Sequence, residues 1–362
     1  MTKTVSVALG ERSYNINIGP DAQMSAACAL VRGRHCLMVS DSNVMPAWGD
    51  QCEAILTAAG ATVGRATVPA GEQSKSLACV QDLYDQALAQ GLDRRSVIVA
   101  LGGGMVGDLA GYVAGTYLRG ISFLQMPTTL LAMVDSSVGG KTGVNLPQGK
   151  NLIGVFYQPI EVVANLDTLS TLPEREYVSG LAEVIKYGVI WDADLFASLE
   201  SNVAHLASRD QAYLTEVVAR CCAIKGDVVQ QDEREGGLRA ILNYGHTMGH
   251  AIEQVSSYNT YLHGEAITIG MHYAGLLSRD VLGFPEDDRQ RVNALMAAVG
   301  LPLTFRGEMP SWDAMRQAMS ADKKTSAGVL KFVLAKRIGE VAFGCEVDDD
   351  LLVQHCGCLV DG

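Results

Sequence analysis

Residues 96–108, SVIVALGGGMVGD, join a run of apolar, β-branched residues directly to a turn of three consecutive glycines. Gly102, Gly104 and Gly107 fit the pattern G-x-G-x-x-G between a predicted strand and a predicted helix. Such glycines let backbone N–H groups approach a phosphate at a helix N-terminus, where the helix dipole favours negative charge. The segment therefore predicts an α/β unit with a nucleotide at its turn. A glycine turn without a ligand is the alternative, because no acidic residue follows at the usual offset.

The residues on both sides of this segment alternate between short β-type runs and helical stretches. The sequence predicts strands at residues 4–9, 14–18, 35–40, 62–68, 96–101, 121–126 and 160–165. It predicts helices at residues 21–31, 44–59, 76–90 and 104–115. This alternation is typical of a mostly parallel sheet with helices on both faces, and the first two strands predict a hairpin.

Long helical periodicity replaces the alternation after Pro173. The predicted helices lie at residues 174–190, 193–207, 210–231, 244–257, 263–282, 286–298 and 312–319. Two strand-like runs follow, at 330–335 and 340–344. The sequence therefore predicts an N-terminal α/β domain over residues 1–170 and a mainly α-helical C-terminal domain over residues 171–362.

The composition limits the possible partners. The chain has 28 basic and 40 acidic residues, and its net charge of −12 argues against a partner that is nucleic acid or an anionic membrane. Its nine scattered cysteines do not suggest a disulfide framework. The N-terminus has no apolar segment of signal-peptide length, and no apolar run is long enough to span a bilayer. We expect a soluble cytoplasmic protein.

Polar side chains follow two further strands. Asp41 and Asn43 come directly after the third predicted strand, and Glu72 and Lys75 follow the fourth. Each group alone is more typical of a helix cap or a turn. Three strand ends that carry polar groups at the same edge of a sheet together favour a dinucleotide.

Histidines concentrate in the second half of the chain. His246 and His250 are four residues apart on one predicted helix, and His263 begins the next. Thr247 stands where a zinc protease of the H-E-x-x-H type has its general base. Glu183 is a candidate third metal ligand, because it lies on an apolar helix where an unpaired charge is costly. The spacing alone leaves open which two histidines bind, and Lys186, one turn from Glu183, is a candidate for proton transfer.

A series of motifs resembles the 3-dehydroquinate synthase family from about residue 36 to 334. In chain order they are PAGEQSK, GGGMVGD, YLRGI, MPTTLLAMVDSSVGGKTGVN, KNLIGVFYQP, LPEREYVSGLAEVIKYG, LNYGHTMGHAIE, HGEAITIG and DKKTSAGVLKFVL. The resemblance implies a Rossmann-like NAD domain over residues 1–170, followed by a helical domain that binds the metal and substrate over residues 171–362. It also implies a homodimer that converts 3-deoxy-D-arabino-heptulosonate 7-phosphate to 3-dehydroquinate and phosphate, with NAD and zinc or cobalt.

The resemblance assigns roles residue by residue. It implies that the metal binds Glu183, His246 and His263. It implies NAD contacts from Asp41, Asn43, Glu72, Lys75, Gly103, Gly104, Asp108, Thr128, Thr129, Asp135, Ser136, Lys141, Lys150, Thr168 and Leu172. The substrate phosphate would meet Lys141, Asn243, His250 and Lys331, together with Arg119 from across the dimer interface. Lys225 and Arg239 would hold the substrate carboxylate, and the reacting centre would contain Asn151, Lys186 and Glu235.

Three other functions fit part of the pattern. Related sugar phosphate cyclases act on substrates without a carboxylate, so Lys225 and Arg239 favour the heptulosonate. A metal-dependent polyol dehydrogenase would need no phosphate cluster and would accumulate NADH. A non-catalytic NAD-binding regulator would leave Glu183 and the histidines without a role.

Overall fold

The computed structural model describes residues 2–20, 25–256, 260–307, 310–322 and 330–360. This described part contains eleven β-strands and thirteen α-helices. The strands are β1 (Lys3–Val7), β2 (Tyr14–Gly19), β3 (His35–Asp41), β4 (Thr62–Val68), β5 (Val97–Gly102), β6 (Ser122–Pro127), β7 (Lys141–Leu146), β8 (Gly149–Phe156), β9 (Glu161–Asn165), β10 (Lys331–Arg337) and β11 (Glu340–Glu346).

The helices that precede residue 210 are α1 (Ser25–Val31), α2 (Val44–Ala58), α3 (Leu77–Ala89), α4 (Gly104–Thr116), α5 (Glu174–Ile190), α6 (Ala193–Ser201) and α7 (Val203–Ala207). The later helices are α8 (Gln211–Gln231), α9 (His246–Val255), α10 (His263–Leu282), α11 (Glu286–Ala298), α12 (Trp312–Asp322) and α13 (Asp349–Cys356). No helix in the described ranges is both long and apolar enough to cross a membrane.

Contacts within the chain divide it into two units. Unit 1 comprises Met1–Pro173 and Gln211–Gln230, and unit 2 comprises Glu174–Asp210 and Gln231–Gly362. The sequence predicts α8 in the second domain, whereas the structure groups it with the first unit. The physical reason is its packing: the Cys222 thiol donates to the carbonyl of Met133, at 3.2 Å.

The main sheet of unit 1 confirms the predicted α/β architecture. Its strand order is β1-β2-β9-β6-β5-β3-β4, and neighbouring strands are parallel except for β1 against β2. The chain adds β4 on one side of β3 and then returns to place β5 on the other side. In open α/β sheets the usual ligand position is at such a reversal, beyond the carboxyl ends of the two strands, which here are β3 and β5.

Strand β5 shows why its sequence is continuously apolar. Val97, Val99 and Leu101 belong to the core on one face of the sheet, whereas Ile98 and Ala100 belong to the core on the other. Successive side chains of a strand point to opposite faces, so a strand covered on both faces needs apolar residues throughout.

The structure departs from the sequence prediction in three elements. Strands β7 and β8 form a separate antiparallel hairpin that the glycine-rich sequence did not predict. The helix predicted at 193–207 divides at Asn202 into α6 and α7, and α13 was not predicted. Residues 21–24 and 257, predicted to be helical, lie outside the described residues.

In unit 2, glycines allow helix α10 to approach its neighbours closely. A Cβ atom on Gly264 would lie 1.8 Å from the carbonyl oxygen of Ser179 in α5, and one on Gly270 would lie 2.0 Å from that of Gly245. The Gly264 N–H also donates to the Ser179 hydroxyl, at 3.0 Å. Only glycine fits at these positions without moving backbone.

The contact at Gly270 predicts a large loss of stability in Gly270→Ala. Because the added methyl group would meet backbone atoms, we expect the free energy of unfolding to fall by about 3 kcal/mol or more. Gly275→Ala, on the same helix, is the matched control, because its Cβ would meet the flexible side chain of Arg289 at 3.3 Å. It should stay within about 1 kcal/mol of the parent in denaturant unfolding. Equal stabilities of the two variants would contradict this account.

Candidate active site

The nucleotide-binding residues predicted in unit 1 lie at one edge of its sheet. Asp41 ends β3, Glu72 follows β4, Thr128 follows β6 and Thr168 follows β9. Because these strands are parallel, their carboxyl ends share one edge. One oxygen of Asp41 accepts the backbone N–H groups of Asn43 and Val44, at 2.8 and 3.0 Å, so this carboxylate also caps α2.

The glycine turn after β5 is packed against two other predicted NAD contacts. A Cβ on Gly103 would lie 3.0 Å from Thr129 Cγ2, and one on Gly104 would lie 2.9 Å from Ser136 Oγ. Gly103 precedes α4 and supplies no side-chain cap to its N-terminus. The Thr128 hydroxyl is buried and has no hydrogen-bond partner within the described ranges. Open helix N–H groups and a buried hydroxyl are features that a dinucleotide phosphate could use.

A hydrogen-bond network joins further predicted residues of unit 1. Lys75 is 4% exposed and contacts both the Asp108 carboxylate and the side-chain oxygen of Asn151. Asn145 donates to Glu72 Oε1 at 2.8 Å, and its own oxygen accepts the Asn151 N–H at 2.8 Å. The structure therefore links residues predicted for NAD with one predicted for the reacting centre.

Four further predicted cations of unit 1 lie on α8, on the β7–β8 hairpin and in a turn. Lys225 donates to the backbone oxygen and to Oδ1 of Asp135, at 2.7 and 2.6 Å. Lys141 begins β7 and Lys150 lies on β8, so both belong to the hairpin. Arg119 is exposed in the turn that precedes β6.

The two remaining residues predicted for NAD follow β9. The Thr168 hydroxyl donates to the carbonyl of Asn165, at 2.7 Å. The Leu172 N–H donates to the carbonyl of Leu169, at 3.3 Å. Both residues are thus held by their own turn.

In unit 2, three elements bring a carboxylate and two histidines together. Glu183 is fully buried on α5, and its Oε1 lies 3.4 Å from His246 Nε2 and 3.7 Å from His263 Nε2. These two histidines begin α9 and α10, respectively. The ligand atoms of all three residues lie within 4.8 Å of one another.

The ionisation of the two histidines differs. Burial and the nearby Lys186 lower the pKa of His246 to about 3, so its ring is neutral near pH 7. Burial also lowers the pKa of His263, but the charge of Glu253 and hydrogen bonds to Glu183 and Glu253 outweigh it and raise the pKa to about 10. His263 differs from His246 because two carboxylates, Glu183 and Glu253, lie against its ring.

The donor set fits a divalent metal. One carboxylate and two imidazoles are the protein ligands of many catalytic zinc sites, which keep a further position open for water or substrate. The Nδ1 atom of His246 lies 3.1 Å from the carbonyl oxygen of Tyr244, which leaves Nε2 to face Glu183. A backbone acceptor of this kind orients a ligating imidazole.

Two other predicted residues lie beside this group. Lys186 is 1% exposed and its ammonium forms an ion pair with Glu183. The His250 ring lies 5.2 Å from that of His246 and 6.0 Å from that of His263, measured between centroids. His250 also forms a second metal-capable group with Glu253 and His263.

Residues 232–243 carry three more predicted side chains. Asn243 Nδ2 lies 3.4 Å from Glu235 Oε1. Arg239 is 2% exposed, and its guanidinium donates to the carbonyl of Glu233. The Asp232 carboxylate accepts the backbone N–H of Arg239 at 3.0 Å, a bond that helps to lower the pKa of Asp232.

Lys331, also predicted for the phosphate, is the first residue of β10 and is exposed. Its carbonyl oxygen lies 3.4 Å from the Thr247 hydroxyl of α9. The motif DKKTSAGVLKFVL therefore begins and ends in described segments, while residues 323–329 lie outside them.

Several residues that position this chemistry were not predicted. They are Asn145, Asp232, Tyr244 and Glu253. Asn145 lies inside a quoted motif, and Glu253 lies seven residues after His246, on the same face of the helix. That spacing could have indicated Glu253 from the sequence. The contact of Tyr244 is made by its backbone carbonyl, which every residue has, so the sequence gives no sign of it.

Known proteins resemble this chain over almost its whole length. The family description 3-dehydroquinate synthase N-terminal matches residues 65–179, and 3-dehydroquinate synthase C-terminal matches residues 180–325. A 3-dehydroquinate synthase of Geobacter metallireducens is 48% identical over 360 residues, which cover 98% of this chain and 99% of the relative.

Two solved structures are also similar. One is 2-epi-5-epi-valiolone synthase from Streptomyces hygroscopicus with NAD⁺ and Zn²⁺ bound, at 28% identity and a TM-score of 0.89, covering 97% of this chain and 98% of that one. The other is 2-deoxy-scyllo-inosose synthase with carbaglucose-6-phosphate, NAD⁺ and Co²⁺, at 28% identity and a TM-score of 0.88, covering 98% and 99%. With both family descriptions and a relative of nearly half-identical sequence in agreement, this chain belongs to the 3-dehydroquinate synthase family.

Proposed function

We propose that this chain converts 3-deoxy-D-arabino-heptulosonate 7-phosphate to 3-dehydroquinate and phosphate, the second step of the shikimate route to aromatic amino acids. The observation that carries the proposal is the meeting of Glu183, His246 and His263 in a chain that matches its relatives almost end to end. An enzyme with this activity is a lyase that depends on NAD and a divalent metal.

We assign the cofactors by donor chemistry. Glu183, His246 and His263 would hold zinc or cobalt, and the strand ends of unit 1 would hold NAD. When bound, the metal supplies Lewis acidity at a ring hydroxyl and NAD supplies a reversible hydride acceptor. The cyclases with bound NAD⁺ and Zn²⁺ or Co²⁺ support this assignment.

The chain's cations would handle the anionic groups of the substrate. Lys141, Asn243, His250 and Lys331 would hold the phosphate, and Lys225 and Arg239 would hold the carboxylate. Fixed cations and N–H donors stabilise a leaving dianion where water is excluded. A carboxylate-binding pair favours the heptulosonate over the substrates of related cyclases, and a phosphate cluster favours it over those of polyol dehydrogenases.

Lys186 would move a proton at the reacting centre, which Asn151 and Glu235 would also line. Its ammonium lies against Glu183, the proposed metal ligand, so the proton would be held next to the oxidised carbon. General acid–base transfer by a positioned side chain contributes about 10²–10⁴ in rate.

We further propose that the chain works in the cytoplasm as a homodimer in which Arg119 reaches the partner's phosphate site. Leu118, Arg119 and Gly120 all have φ in the left-handed region, at 51°, 69° and 116°. Arg119 is exposed on unit 1, so its side chain is accessible to a neighbouring subunit, which supports this role. No nucleic acid or membrane partner is proposed.

The reaction can be tested by incubating the protein with the heptulosonate phosphate and a catalytic amount of NAD⁺. We expect stoichiometric release of phosphate without accumulation of NADH, because hydride is taken and returned within one turnover. Phosphate would be measured colorimetrically and NADH by absorbance. NADH without phosphate would instead indicate a polyol dehydrogenase, and turnover of a substrate without the carboxylate would indicate another cyclase.

The same assay includes a metal control. Protein treated with a chelator should release no phosphate, and added zinc or cobalt should restore the release. Full activity in metal-free protein would rule out the metal assignment.

The proton-transfer role predicts that Lys186→Ala lowers kcat for phosphate release by about 10²–10⁴. Metal content and NAD binding should remain close to those of the parent, because Lys186 is not assigned to either ligand. Lys336→Ala is the control, since Lys336 is a half-exposed lysine of the same unit. Turnover of Lys186→Ala close to that of the parent would remove Lys186 from the mechanism.

The shared site predicts complementation between two inactive variants. Arg119→Ala and Lys186→Ala would each be inactive alone, but a mixed dimer would contain one intact site. Random mixing makes half of the dimers mixed, so activity should recover to about a quarter of the parent value. The activity of refolded 1:1 mixtures would measure this, and no recovery would place Arg119 in its own subunit's site or outside any site.

A further inference from the structure

Glu253 is a buried carboxylate near the metal-capable group that the proposed function does not use. It lies on α9, three residues after His250 and seven after His246, so these three side chains share one face of the helix. Its residue exposure is 6%. A buried carboxylate requires a hydrogen-bond donor or a cation, and the structure supplies an imidazole.

The ring of His263 lies between two carboxylates. Its Nδ1 is 3.3 Å from Glu253 Oε2, and its Nε2 is 3.7 Å from Glu183 Oε1. A ligating imidazole is neutral: it offers a lone pair at one nitrogen and donates through the other, so a metal would replace one proton of the His263 imidazolium. If Nδ1 carries the hydrogen, Nε2 is the atom available to a metal.

We propose that Glu253 is a positioning residue that fixes the tautomer and ring orientation of His263. It accepts the hydrogen bond from Nδ1 and thereby aims Nε2 at the metal position next to Glu183. This inference rests on the metal site of the proposed function and adds a residue that acts through a ligand rather than as one.

The other histidine of the group supports this arrangement. His246 also has its Nδ1 beside an acceptor, the carbonyl oxygen of Tyr244, at 3.1 Å. In both rings Nε2 thus faces Glu183, and Nδ1 lies within hydrogen-bond reach of an acceptor on the opposite side of the ring. Acceptors of this kind orient ligating imidazoles, and their removal typically weakens metal affinity by about 10–100-fold. The acceptor of His246 is a backbone carbonyl, whereas that of His263 is the side chain of Glu253 and can be removed by mutation.

A competing arrangement uses the same atoms. His250, Glu253 and His263 also place their ligand atoms within 4.8 Å of one another. His263 Nδ1 cannot both donate to Glu253 and bind a metal. The arrangement around Glu183 is favoured because the Nδ1 atoms of both its histidines, His246 and His263, lie beside hydrogen-bond acceptors. Metal binding at the alternative group is an outcome of the test.

The test measures cobalt binding to the full chain rather than turnover. Metal-stripped parent, Glu253→Ala, Glu253→Gln and Gln254→Ala are titrated with Co²⁺ against a competing chelator, and visible absorption spectra are recorded. We expect Glu253→Ala to bind one ion about 10–100-fold more weakly, with altered cobalt bands. Glu253→Gln retains an acceptor oxygen and should lose less than about tenfold. Gln254, the exposed neighbour, is the matched control and should match the parent.

The outcomes separate this inference from the proposed function. Parent-like affinity and spectra in Glu253→Ala and Glu253→Gln would overturn the positioning role alone. Complete loss of binding in folded Glu253→Gln, or a second ion lost with Glu253, would make Glu253 a ligand and also overturn it. A parent protein that binds no cobalt would overturn the proposed function itself. If Glu253→Ala does not fold, the Gln variant decides, because it conserves the size of the side chain.

Discussion

The close approach of α10 to α5 and α9 is the constraint on which the metal-capable group depends. Gly264 lies against Ser179, and Gly270 lies against Gly245, at distances that admit no side chain. The residue next to Gly264 is His263. A metal site must be held within about 0.5 Å of its working geometry. The positions of the ligands on α5, α9 and α10 therefore depend on the glycines that let these helices pack at backbone distance.

An ion pair between a half-exposed arginine and a buried glutamate reinforces the same interface. Arg175, in the first turn of α5, donates two hydrogen bonds to Glu265 in the first turn of α10, at 2.9 and 2.7 Å. Glu265 also accepts the Leu262 N–H at 2.9 Å, which caps the helix that His263 begins. A planar guanidinium that binds a carboxylate through two bonds fixes orientation as well as distance. The start of α10 is therefore fixed both by contact and by charge.

The sequence predicted those elements whose own residues show which of their faces are buried. Strand β5 was predictable because both faces are covered and its residues are all apolar. Helix α8 shows the limit, since its periodicity reveals an apolar face but not the unit that covers it. The histidines follow the same rule: spacing placed His246 and His250 on one face, but only the tertiary fold brings His263 and Glu183 to His246.

Backbone strain is the part of the site that residue patterns conceal most. Five described non-glycine residues have left-handed φ, and three of them, Arg119, Asn151 and Glu235, are predicted site residues. Such strain persists only where surrounding contacts outweigh it, and it concentrates at functional positions. At Asn151 the contacts are visible: Asn145 accepts its N–H, and Lys75 binds its side chain. Neighbours distant in sequence thus determine a conformation that the residue itself disfavours.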